Sequence, residues 1–155
     1  MTQKLKNLLC ISMFCMVMLS FAQDRSTSSS KHIEYNNNVN QPLTSVELNM
    51  IREVYKDYSN SDVLSRPQRL RSVKNVLRNR IKIFKENSKD LSKLTKLSKV
   101  PLFSAYNNNL KRDIIFNPKT FNPLKYQFDF YSNQSTKHYR VDNTNYIITV
   151  FAQHK

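Results

Sequence analysis

Glycine is absent from all 155 residues, although an average protein carries about 7%. Its absence excludes every chemistry that needs a bare backbone. No phosphate-cradling loop, dinucleotide fingerprint or glycine-flanked nucleophile elbow can be written. Tryptophan is missing too, while Asn, Lys, Ile, Tyr and Phe abound, the mark of a compositional bias. Asparagine must then serve the turns and helix ends that need a positive φ. Cysteine is nearly absent: Cys10 and Cys15 are the only two, both near the start. A long apolar run is lacking as well. The stretch Leu8–Leu19 spans about 12 residues, short of the roughly 20 that cross a bilayer as a helix.

That stretch reads as an export signal. Lys4 and Lys6 precede it, and Ser20-Phe21-Ala22 offers small residues at the two positions a signal peptidase reads. Cleavage after Ala22 is expected, giving a secreted or periplasmic product that begins at Gln23. Both cysteines would leave with residues 1–22. The fold must then rest on its core alone, with no disulfide and no cysteine nucleophile.

Residues 23–43 are polar, with the run Thr27-Ser28-Ser29-Ser30 and the triplet Asn36-Asn37-Asn38. They read as a flexible leader that buries too little surface to offset its ordering entropy. Residues 44–155 read as one α+β domain. Thr44-Ser45-Val46-Glu47 is a capping box, followed by an apolar stripe through Ile51, Val54 and Tyr55. The polar run Ser59–Asp62 should end that helix. A second box, Ser65-Arg66-Pro67-Gln68, opens the next one. Leu70, Val73, Leu77, Ile81 and Phe84 follow spacings of 3, 4, 4 and 3, which predicts a helix running to a stop at Asn87. The triplets Leu91-Ser92-Lys93, Leu94-Thr95-Lys96 and Leu97-Ser98-Lys99 predict a short third helix, ended by Val100-Pro101.

Beyond Pro101 the character changes. Phe116-Asn117-Pro118 and Phe121-Asn122-Pro123 mark turns pinned by their phenylalanines. Tyr126, Phe128 and Phe130 then alternate with polar residues, and 138–141 and 146–151 read as a strand pair joined by Asp142-Asn143-Thr144-Asn145. The expected architecture is two to three N-terminal helices on a small antiparallel sheet of about three strands.

Charge is concentrated between Arg66 and Lys99, where twelve Lys or Arg face two acids, Glu86 and Asp90. On a continuous helix, Arg71, Lys74, Arg78, Lys82 and Lys85 share one face beside the apolar stripe. Such a field gathers anions. Export turns the expectation from nucleic acid toward anionic lipid, lipopolysaccharide, an acidic glycan or a partner protein. Reversing Lys74, Arg78, Lys82 and Lys85 to glutamate should then abolish binding at little cost in stability.

Catalysis has thin material. Of the histidines, His32 lies in the leader and His154 is next to last; only His138 sits in predicted structure. No His/Cys/Asp cluster has metal-ligand spacing, so neither metal nor cofactor is expected. In size and charge the chain resembles the microbial ribonucleases. That resemblance implies a small secreted basic hydrolase as the alternative, using His138 and Arg140; Asp129 is the acid the expected sheet offers beside them. The glutamate such enzymes place on the sheet has no counterpart after Asp90. Tyr131, Tyr139 and Tyr146 are the aromatic residues placed to meet a ligand. Asn133-Gln134-Ser135 matches a glycosylation pattern that matters only on a eukaryotic route.

Overall fold

A computed structural model describes residues 35–87, 91–131 and 135–153. The expected signal, the leader up to Glu34, His32, His154 and most of the glycosylation pattern lie outside these residues. The described chain is α+β: two α-helices and a four-stranded mixed sheet. No cysteine falls among the described residues, and no described helix is long and apolar enough to cross a membrane.

Helix α1 (Ser45–Tyr55) starts where its capping box places it. The Glu47 amide donates to Thr44 Oγ1 at 3.2 Å, and the Thr44 amide donates to Glu47 Oε2 at 2.8 Å. It ends at Lys56, whose φ of 49° breaks the helical path. The only other positive φ among the described residues is at Asn143, 56°, inside the 142–145 turn. Asparagine thus does serve one turn where glycine is usual. Helix α1 ends before the polar run expected to stop it, and Ser59–Leu64 forms a wide turn of π-helix.

Helix α2 (Pro67–Asn75) has Pro67 in its first turn, where no N–H is needed. The second capping box does not form. Arg66 is the N-cap but its side chain does not cap the helix; its Nε donates backward to the Ser61 carbonyl at 2.8 Å, and the Ser65 hydroxyl donates to the Asn60 carbonyl at 2.7 Å.

The long helix expected to reach Phe84 is overturned. It stops at Asn75, passes through a wide π turn (Val76–Arg80), and becomes strand β1 (Ile81–Lys85). The apolar stripe was real; the last two of its residues belong to a sheet. The third helix is overturned as well. Leu91–Lys93 and Leu97–Lys99 are single 3₁₀ turns on either side of β2 (Thr95–Lys96).

The expected strand pair forms as β3 (Lys137–Arg140) and β4 (Tyr146–Val150). The sheet order is β1-β4-β3-β2, with β4 antiparallel to both neighbours and β2 parallel to β3. The expected strand through Tyr126, Phe128 and Phe130 is absent. Tyr126 makes one bridge to Leu102, and the rest runs beside the sheet without joining it. Its alternation still serves packing, since Tyr126 and Phe128 are buried while Gln127 and Asp129 are exposed.

Two apolar clusters result. Ile51, Val54, Tyr55, Val63, Val73, Val76, Leu110 and Leu124 sit between the helices and the following loops. Leu97, Val100, Phe121, Tyr126, Phe128, Val141, Ile148 and Val150 pack on one sheet face. The end of the expected leader is also folded: Asn37–Asn40 forms a 3₁₀ turn with Val39 buried at 2% exposure.

Candidate functional site

The bend from α2 into β1 opens a hollow. It has a volume of about 420 Å³ and is walled by α2, the π turn after it, and the 124–131 segment. Tyr35, Tyr55, Phe103, Tyr126, Phe128 and Phe130 give it aromatic walls, with Tyr131 at 65% exposure on its rim. Size and lining match those of small-molecule sites.

Two arginines turn this hollow electropositive, Arg69 and Arg80. Arg80 is 6% exposed. Its Nε and Nη2 donate to the Phe151 carbonyl at 3.2 and 2.7 Å, and its Nη1 donates to the Phe130 carbonyl. Among the described residues none of its partners is a carboxylate within ion-pair distance. Burial pushes its guanidinium below the usual arginine range, and the pull of nearby Asp129 only partly offsets this. Carbonyls satisfy hydrogen bonds but carry no full charge, so among the described residues this buried cation has no ion-pair partner. Arg69 Nη2 donates to the Tyr55 hydroxyl at 3.3 Å and leaves further N–H groups on a partly exposed head. A second hollow, beside α1 and β1, has a volume of about 380 Å³. Of its charged lining, Glu47 is already bound by Arg78, and Lys119 is exposed to solvent, so no buried charge awaits a ligand there.

The residues singled out by charge are scattered by the bend. Arg71 lies over the Tyr35 ring at 4.6 Å, at the edge of the first hollow. Lys74 is buried at 8% exposure and donates to the Gln41 carbonyl at 2.7 Å. Arg78 grips Glu47 with two bonds of 2.6 and 2.7 Å and also holds the carbonyls of Asn38, Gln41 and Pro42. Lys82 and Lys85 are exposed on β1, with the Lys85 ammonium 5.2 Å from the Tyr146 ring centre. The continuous helical ridge therefore does not form, because a helical face cannot continue through a strand.

No family model, curated protein or solved structure matches this chain.

The alternative pair fares differently. Lys82 and His138 both stand opposite Thr149, and Arg140 stands opposite Ile147, which brings Lys82, His138 and Arg140 to one sheet face. His138 Nδ1 lies 3.0 Å from Thr149 Oγ1, and the buried Arg140 Nε has no hydrogen-bond partner among the described residues. Among the described residues no carboxylate bonds to either His138 or Arg140, and Asp129 lies off the sheet. Of the three tyrosines, Tyr131 borders the aromatic hollow. Tyr139 packs on Phe128 at 4.8 Å and Tyr146 on Phe116 at 5.4 Å, both half-buried against the sheet core.

Arg69 and Arg80 were not among the residues that charge patterning picked out. A signal for them is present: Arg69, Val73, Val76 and Arg80 recur at spacings of 4, 3 and 4. An apolar stripe with an arginine at each end marks cations turned inward.

Proposed function

We propose that this is a small exported, non-enzymatic binding protein whose ligand is a compact amphipathic anion held in the aromatic hollow beside α2. The observation that carries the reading is the buried Arg80 charge, bonded to carbonyls and facing aromatic walls. A flat apolar body would stack on Tyr126, Phe128 and Phe130. A single carboxylate or sulfonate would meet the free N–H groups of Arg69 and the field of Arg80. This keeps the anionic ligand expected from the sequence and moves its seat from a surface ridge to a cavity. Export rests on the signal at Lys4–Ala22.

The test compares two probes of equal shape, 2-naphthoate and its neutral amide, by titration calorimetry. The carboxylate should bind at least about tenfold more tightly, since a hydrogen bond to a charged group contributes about 1.5–3 kcal/mol. Arg69→Gln should erase most of that preference while keeping the weak affinity for the amide. Equal affinities for the two probes, or no binding of either, would overturn the reading.

A further inference from the structure

The loop after Leu110 carries two adjacent isoleucines with nothing covering them. Ile114 is 101% exposed and Ile115 82% exposed. Their backbone is nonetheless fixed on both sides. Arg112 donates to the carbonyls of Leu97 and Val100 at 2.9 and 2.5 Å and lies over the Tyr126 ring. Asp113 pairs with Lys125 at 2.6 Å, and Phe116 packs on Phe121 at 5.3 Å. The sequence thus spends three neighbours on holding the loop and leaves two large apolar side chains outside it.

We infer that Ile114 and Ile115 form a wedge that enters the interfacial layer of an anionic membrane. Charge supports this occupant. Lys111 and Lys119 are exposed on the same loop, and exposed Lys96 and Lys99 flank the segment that holds Arg112. The one acid in the loop, Asp113, is already paired with Lys125. Stable peripheral anchoring takes two signals, an apolar insertion and a basic surround, and both are present. Size argues against a protein partner, because two residues fall far short of the roughly 1,200 Å² that a specific protein interface buries. The inference is independent of the ligand proposed for the aromatic hollow.

Co-sedimentation with vesicles tests it, using the protein as recovered after processing by the cell. The parent should partition onto vesicles of equal parts phosphatidylglycerol and phosphatidylcholine, and less onto pure phosphatidylcholine. Ile114→Ser with Ile115→Ser keeps the charge and should weaken partitioning at least about tenfold. Because both side chains are exposed, its melting temperature should stay within about 2 °C of the parent. Lys111→Glu with Lys119→Glu should weaken binding at low salt, and its gap from the parent should narrow as salt rises and the Debye length falls toward about 3 Å at 1 M. Equal partitioning of the parent and the serine variant would overturn the inference. So would a parent that ignores anionic vesicles while the serine variant changes self-association, which would assign the wedge to a protein contact.

Discussion

Reversing Lys74 and Arg78 to glutamate should unfold the domain, whereas reversing Lys82 and Lys85 should move its melting temperature by only a few degrees. The four residues carry the same charge and lie within one short segment; their surroundings separate them. Arg78 and Glu47 keep only 13% of each side chain exposed, and Arg78 also ties down three carbonyls of the 38–42 segment. Removing one partner of a buried pair costs about 3–5 kcal/mol. Reversal adds repulsion from Glu47 and places a second carboxylate, at position 74, against the Gln41 carbonyl. The total rivals the roughly 5–15 kcal/mol of a whole domain. Lys82 and Lys85 stand in solvent on β1, where a charge contributes little. Thermal unfolding followed by circular dichroism separates the two pairs, and a K74E/R78E protein that melts near the parent would contradict the clamp.

The same pair sets an acid limit. The Arg78 hydrogen bonds hold the Glu47 carboxyl well below its ordinary 4.5, at about 2, against an opposing push from burial. A depressed carboxylate stabilises the fold above its unfolded value and loses that contribution as pH falls through the folded one. Between about pH 4.5 and 2 the domain should therefore lose on the order of 2 kcal/mol from this group, allowing for solvent at its edge. Arg78→Met should flatten that slope.

Arg80→Met should cost about 2–4 kcal/mol in urea unfolding and abolish the charge preference of the aromatic hollow. Methionine preserves much of the volume but donates nothing. The carbonyls of Phe130 and Phe151 lose their guanidinium partner, each at about 1–3 kcal/mol, partly offset by removing a buried charge. Arg80→Lys should not rescue it, because one ammonium cannot reproduce a planar fork that spans two carbonyls from separate segments. A methionine variant as stable as the parent would mean that the guanidinium does not bridge them.

Some local signals were legible in this sequence, while the signals that depend on pairing were not. The Thr44–Glu47 box and the strands on either side of Asp142–Asn145 act over a few residues, and both form. The helix read through Phe84 failed because Ile81 and Phe84 fit a helical stripe as well as a strand. What decides between them is the pairing of Ile81 with Val150, far along the chain. Ile81-Lys82-Ile83 alternates as a strand does, inside a longer pattern that equally fits a helix. The leucine triplets repeat every three residues, which is the period of the 3₁₀ turns that form, not of an α-helix. Tyr126 and Phe128 alternate in burial as a strand would, yet no neighbour completes a ladder there. The hollow depends on the α2-to-β1 bend, so its residues could not be grouped until that bend was known.

Methyl-resolved NMR during a titration with 2-naphthoate reads directly whether an anion occupies the hollow. If the anion enters the hollow, the methyl signals of Val73, Val76 and Leu124, which line it, should shift together and saturate at one ligand per chain. Those of Ile83 and Ile148 in the sheet core should stay in place. Shifts confined to surface groups around Lys82 and Lys85, or none that saturate, would contradict a cavity built around Arg69 and Arg80.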